Sequence, residues 1–353
     1  MKNLRLLLPL FWLTFFVASC SNDTTDPIDV PAGEFEKGVL IMNEGAFGVN
    51  DGEVFHYDPS TGVIKKDIFR AKNFRPFGGL IQDMVEAEGR IYLVANTGKV
   101  EIVAPNDFDL LGGISLGLNI SRSLVAVNQK LFISDWGPYD ADFNNPDSFV
   151  AIVNSLNGGE IAKKIAVSSR PEGMIAAGNF IYVACTAAKK YDVISVSSET
   201  VAASIAVEGN PTEFLEIEGR LFLYAQDDNH AIFHEINPGN YALVRTVKIP
   251  LANSTPIIAL GEGSEVLIVT STGWPDYNDA VAKVSVNSGQ VINPSFYVGN
   301  GIYGLGFKIE GKEIYVAEHN GFQGNGSVFI LSAAGLLVKT LEVGKAPSGF
   351  IFK

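Results

Sequence analysis

Trp136, Tyr139, Trp274, Tyr277, Phe47 and Phe322 lie in stretches otherwise rich in Gly, Asn, Asp and Ser. Broad aromatic planes on polar, turn-rich segments lose little rotamer entropy when covered, which is the composition of a binding surface. The alternative is that each ring folds down and plugs its own loop. Arg75, Arg122 and Arg170 form a second set, in Phe74-Arg75-Pro76-Phe77, Ser121-Arg122-Ser123 and Ser169-Arg170-Pro171, each at the start of a β-prone run; Tyr303 holds the matching place in Asn300-Gly301-Ile302-Tyr303. A guanidinium so placed could meet a carboxylate, amide or phosphate of a ligand, or could pair with a neighbouring acid such as Glu172 and tie the structure together.

Other chemistry is faint. His230 and His234 are four residues apart, which on a strand separates them by roughly 13 Å, too far to share a metal. His319 could stack on a ligand or bind a metal, the plain alternative being a solvated loop histidine. Asp140-Ala141-Asp142-Phe143-Asn144 begins like a calcium loop, but Asn145 stands where an EF-hand needs glycine and Ala151 where it needs glutamate. An EF-hand is therefore excluded, and other calcium geometries stay open. No Ser-His-Asp, zincin or Cys-His pattern occurs and no phosphate-cradling glycine loop opens a helix, so no catalytic set, resident cofactor or metal is expected.

What must position these residues is a repeated strand. Four apolar, β-prone residues after a small turn recur at Val39–Met42, Ile91–Val94, Leu131–Ser134, Ile181–Ala184, Leu221–Tyr224, Val266–Val269 and Ile314–Ala317, with starts 52, 40, 50, 40, 45 and 48 residues apart. That is the period of a four-stranded propeller blade. The stretch from Arg170 shows a whole unit: a strand over 174–177, a hairpin turn at Gly178-Asn179, a second strand over 180–184, a third over 191–196 and a fourth over 201–207. No helical period of any length interrupts the chain. An all-β, seven-bladed β-propeller follows, spanning residues 37–353. Residues 346–352 read as an innermost strand with nothing after it, and residues 38–43 as a second strand with nothing before it. Joining them closes the last blade from three N-terminal strands and one C-terminal strand, which leaves no open central seam.

In such a ring the loops from second to third strand share one face with the crossings from outer strand to next inner strand. Turns between first and second strands are tight, as at Glu88-Gly89 and Glu218-Gly219, whereas the second-to-third loops at 44–52, 135–147, 271–279 and 318–326 are long and hold two of the three tryptophans, Trp136 and Trp274. The sequence thus gathers Phe47, Phe74, Arg75, Arg122, Trp136, Tyr139, Arg170, Trp274, Tyr277, Tyr303, His319 and Phe322 on one face.

Residues 1–19 carry Lys2 and Arg5 ahead of an apolar run from Leu6 to Val17, which reads as a secretory signal too short for a stable membrane span. Val17-Ala18-Ser19-Cys20 resembles the lipobox of bacterial lipoproteins, implying lipidation at Cys20; simple cleavage leaving a free thiol is the alternative. Residues 20–36 are polar and proline-containing and read as a flexible tether. Cys185 lies within an apolar strand and reads as core filler. The formal charge is −13, and loss of Lys2 and Arg5 would make it −15, which disfavours nucleic acid and anionic lipid heads as partners apart from the anchor itself.

Asn43-Glu44-Gly45, Tyr57-Asp58-Pro59-Ser60-Thr61-Gly62, Arg75-Pro76-Phe77-Gly78, Ile91-Tyr92-Leu93-Val94-Ala95-Asn96 and Arg170-Pro171-Glu172-Gly173-Met174 together resemble the YncE-like, YVTN-type propeller lipoproteins of Bacteroidetes, and within them the BtuG type. Ser21-Asn22-Asp23 after the cysteine is similar to their surface-export signal. The resemblance covers residues 38–353 and implies a monomeric outer-membrane lipoprotein on the cell surface that captures cobalamin or another corrinoid and hands it to a TonB-dependent transporter, without chemistry of its own. The motifs are structural, so the family's ligand residues do not transfer position by position. A protein-interaction platform without small ligand is the second expectation, and a propeller lyase or lactonase the third.

Overall fold

A computed structural model describes residues 33–322 and 324–353. The signal segment, Cys20 and the tether up to residue 32 lie outside the described residues, as does Gln323 in the last long loop.

The repeated apolar runs are the second strands of seven four-stranded antiparallel sheets. A second strand is covered on both faces by neighbouring blades, so it needs no polar alternation, and Val39–Asn43 is buried at all five positions. Outer strands meet solvent on one side and alternate, as Thr200–Ala206 does. The core therefore lies between blades: Tyr92 and Val94 of one sheet pack with Leu124, Leu131 and Ile133 of the next. Tight hairpins begin the blades, and positive φ at both Glu88 and Gly89, and again at Glu218 and Gly219, gives the turn whose twist matches the strands it joins.

Counting blades along the chain, the innermost strands are Pro347–Phe352 for blade one, then Ile81–Ala87, Ser121–Val127, Pro171–Ala177, Asn210–Ile217, Ser254–Leu260 and Ile302–Lys308 for blades two to seven. Blade one is the composite predicted from the sequence. Its C-terminal strand pairs antiparallel with Val39–Asn43, Leu40 opposite Ile351 and Ile41 opposite Phe350, and Lys353 donates its backbone N–H to Gly38 at 2.9 Å.

Two features depart from expectation. A six-residue helix, Ile68–Asn73, takes up the space left by an outer strand that shrinks to Ile64–Lys65 in blade one. Its start is capped by the Asp67 carboxylate, and it buries Ile68 and Phe69 between blades one and two. Too short for a sequence period, it escapes a pattern search. The folded unit also begins at Gly33, inside the segment read as tether. Phe35 is buried, its N–H donates to the Asn106 carbonyl at 2.7 Å, and the Lys65 and Lys72 ammoniums, both paired with Glu34, sit 5.4 and 5.5 Å from its ring centroid. One aromatic side chain thus secures the segment to the ring.

Candidate functional site

The long loops do share one face, because all connect second to third strands, and carboxylates fix them to the neighbouring crossings. Asp135 ends the second strand of blade three and accepts from the N–H groups of Asn119, Ile120 and Gly137 at 2.8 to 3.1 Å and from the Ser121 hydroxyl at 2.9 Å. Asp51 does the same for the first loop, accepting from the Ala46 N–H at 2.7 Å and from Lys345 at 2.7 Å. In the 136–148 loop the Asp140 carboxylate accepts from Asn144 and Asp142 N–H groups, which hold it below the ordinary carboxylate range. The segment that begins like a calcium loop spends this oxygen on its own backbone. Among the described residues no three His, Cys, Asp or Glu side chains converge as a metal site would require.

At the junction of blades six, seven and one, the sequence-predicted rings meet. His319 stacks on Phe322 at 3.7 Å with planes 12° apart, while Tyr277 and Tyr303 present edges to His319 at 5.1 and 5.8 Å. Tyr303 also meets Phe322 edge-on at 5.2 Å and donates its hydroxyl to Glu44 Oε2 at 2.5 Å. His319 is only 2% exposed, so it is not the solvated loop histidine held open above. Its Nδ1 accepts from the Gly321 N–H at 2.9 Å, placing the proton of the neutral ring on Nε2, and burial pushes its pKa down. Gly301 makes the room: a Cβ there would stand 2.8 Å from the imidazole. Burial raises the Glu44 pKa against the opposing pull of Tyr303 and Arg122.

The three arginines part company. Arg75 forms a two-pronged pair with Glu101 at 2.8 and 3.0 Å on the third strand of blade two, well out from the axis. Phe74 beside it closes the short helix and is 93% exposed, so neither residue joins the mouth of the ring. Arg122 lies at the mouth, bonded through Nε to Glu172 at 2.8 Å and through Nη1 to Gln82 at 2.5 Å, and so ties blades two, three and four together. Arg170 donates Nε to Asn145 at 2.9 Å and Nη2 to the Phe143 carbonyl at 2.9 Å. Both Arg122 and Arg170 rest on the Trp136 ring, at 4.6 and 5.0 Å from its centroid. Tyr139 leans on Phe143 at 6.3 Å, and Phe47 and Trp274 stand 95% and 82% exposed on separate loop tips.

Sequence reasoning missed the layer beneath. The pairing of inner with second strand slips at the same place in every blade, between Ile81 and Asp83, Ser121 and Ser123, Pro171 and Met174, Pro211 and Glu213, Ser254 and Ile258, and Ile302 and Gly304, with a matching slip opposite Met42/Asn43 in blade one. A bulge turns its extra residue out of the ladder. Gln82, Arg122, Glu172, Thr212, Tyr303 and Ser348 therefore ring the mouth of the channel, the hydroxyls of Thr212 and Ser348 being shielded and without a hydrogen-bond partner among the described residues. One step further in, Asp83 and Glu213 follow. Burial, foremost, raises Asp83 to about 6 and Glu213 to about 8, the Asp83 charge adding to the rise of Glu213. The recurring X-Pro-X start of Pro171-Glu172, Pro211-Thr212 and Pro347-Ser348 is the one sequence signal that could have marked this layer.

On the opposite face a cleft of about 400 Å³ opens between blades four and five, lined by Ile175, Ala177, Leu221, Ile236, Pro238 and Arg220. Its guanidinium already serves Glu218 at 3.2 Å and Asn287. The mouth, with unpartnered hydroxyls and aromatic walls, has more to offer a ligand.

Residues 37–353 match a family model described as a domain of unknown function, DUF5074. No curated protein matches the chain. Among solved structures, a quinonprotein alcohol dehydrogenase-like protein from Bacteroides thetaiotaomicron VPI-5482 shares 15% identity over 90% of this chain and 78% of its own, with a TM-score of 0.68. A protein from Bacteroides fragilis NCTC 9343, provisionally named a 6-phosphogluconolactonase, shares 13% over 91% of this chain and all of its own, with a TM-score of 0.63. At such identities the likeness establishes the propeller alone.

Proposed function

The chain belongs to the DUF5074 family and folds as a seven-bladed propeller, and from that premise we propose that it captures a sizeable organic ligand at the mouth of the ring. The observation that carries this reading is the convergence on one face of Trp136, Tyr277, Tyr303, His319 and Phe322 above a ring of polar bulge residues, two of whose hydroxyls lack a partner. Flat apolar walls with a few fixed polar groups suit a large, partly planar molecule. The resemblance to BtuG-type propellers favours a corrinoid, passed to a TonB-dependent transporter by a lipoprotein anchored at Cys20 on the outer surface. Capture needs no chemical step. Titrating the purified protein with cyanocobalamin is the test; no binding at micromolar concentration removes the corrinoid. Alanine at Trp136 should weaken binding of whichever ligand the face holds, and unchanged affinity would move the site elsewhere.

A second reading, a platform for another protein, draws on Phe47 and Trp274, whose rings stand nearly free on separate loops, as hot-spot aromatics do before a partner covers them. Retention of a transporter subunit by the wild type and its loss in a Phe47→Ala, Trp274→Ala double variant, with cyanocobalamin affinity unchanged, would favour it.

A further inference from the structure

Arg170 is a cation with no carboxylate bonded to it among the described residues. In a chain with 39 acids and 26 bases, no carboxylate among the described residues lies within 4.0 Å of its guanidinium; the acids of the adjoining loop, Asp140, Asp142 and Asp147, are all farther off, and Glu172, next in the chain, feels its charge from beyond that distance. Its hydrogen bonds go instead to an amide and a carbonyl, which hold the group in place without cancelling its charge. Asn145, the amide partner, is wholly buried, so that support is rigid.

The backbone bears a cost for this placement. Arg170 sits at φ 57°, at the residue whose carbonyl accepts the N–H that follows the second strand. Ala346, Asn253 and Gly301 fill the same place in blades one, six and seven, also at positive φ.

Two hydrogen-bonding edges remain open. Arg122 uses Nε and Nη1, leaving Nη2, and Arg170 uses Nε and Nη2, leaving Nη1. Both guanidiniums lie within 5.0 Å of the Trp136 centroid, and among the described residues Glu172 is the one acid bonded to either, while Glu44 and Asp83 share the field of Arg122. Trp136 Nε1 is shielded from solvent and turned toward the Glu172 carboxylate. A cationic pair with open N–H edges on an indole wall is built for an oxyanion.

We propose that Arg170, with Arg122 beside it, holds an oxyanion of the captured molecule, a carboxylate or a phosphate ester, against Trp136. This rests on the capture reading and names the chemistry of one end of its ligand. Calorimetric titration of the purified protein with inorganic phosphate, benzoate and choline chloride tests it. Saturable binding of phosphate or benzoate but not of choline is expected, and whichever of the two binds tighter tells a phosphate from a carboxylate. Arg170→Gln should weaken that binding by about tenfold or more, the share of one charge-assisted hydrogen bond, with Arg170→Lys between the two. Should the glutamine variant fail to fold, Arg170→Gly, which relieves the positive φ, serves in its place. Equal oxyanion affinity in the wild type and a folded Arg170 variant, or preference for choline, overturns the proposal. If the wild type binds cyanocobalamin and the Arg170 variant binds it equally well, the oxyanion contact falls while capture stands; if the wild type binds oxyanions but no cyanocobalamin, the contact stands and the corrinoid falls.

Discussion

Glu213→Gln should make the protein more stable at pH 8 and leave it nearly unchanged at pH 5. The side chain projects from the innermost strand of blade five against Gly173, where an added Cβ would come within 2.7 Å of both carboxylate oxygens, and its Oε1 accepts only the Phe214 N–H, at 3.1 Å. No cation among the described residues pairs with it, so burial, then the Asp83 charge, raises its pKa from 4.5 to about 8. A carboxyl whose folded pKa lies above its unfolded one binds more protons in the native state. Stability is therefore intact below about pH 4.5 and falls as pH rises towards 8. A shift of this size has a ceiling of about 5 kcal/mol at about 1.4 kcal/mol per pH unit. Protein surrounds the carboxyl, but its surface opens on the channel and water there solvates the charge, so about 1 to 2 kcal/mol is the realistic span. Urea unfolding of wild type and variant at pH 5, 6, 7 and 8 reads it directly: the two midpoints should start together and separate with rising pH. A constant separation across that range would refute the reasoning, since it would mean Glu213 titrates alike folded and unfolded. Asp83→Asn should lower the window by removing the neighbouring charge.

Arg122→Met would leave Glu172, with both side chains 18% exposed, lacking its cation and free Gln82 as well; a loss of about 2 to 3 kcal/mol in chemical denaturation is expected, easing at low pH as Glu172 takes up a proton. Phe35→Ala removes a buried ring flanked by two ammoniums and should cost about 3 kcal/mol, seen as a lower melting temperature, whereas an unchanged value would mean that residues 33–37 do not hold the ring together. Trp274→Ala, on an exposed tip, should change stability by less than about 0.5 kcal/mol while altering ligand or partner affinity. Removing residues 347–353 opens blade one along Val39–Asn43 and should yield aggregated protein; a soluble, cooperative unfolding transition would show that the ring tolerates an open seam.

Ring, blade number, closure and the assignment of loops to faces were all legible in the chain. Each second strand is buried on both sides and must be apolar throughout, so every blade writes the same short run, and the spacing of seven such runs carries the architecture. Loop composition marked Trp136, Tyr277, His319 and Phe322, because polar segments have no structural need for rings of that size. Which of them touch could not be read locally. Tyr303 and Glu44 are 259 residues apart and meet only because the ring closes, and Arg122 reaches Glu172 across 50 residues because blades three and four lie side by side. Arg75 carried the same sequence signal as Arg122 and Arg170, yet it follows directly on the helix at 68–73 and is taken by Glu101 on the third strand of blade two, which Lys99 also reaches. The bulges that aim Gln82, Glu172 and Thr212 into the mouth are slips in pairing between two strands, a property of neither strand alone. Local periodicity thus determined the frame, whereas the chemistry at its centre depends on contacts between distant residues that exist only once the seven sheets stand around one axis.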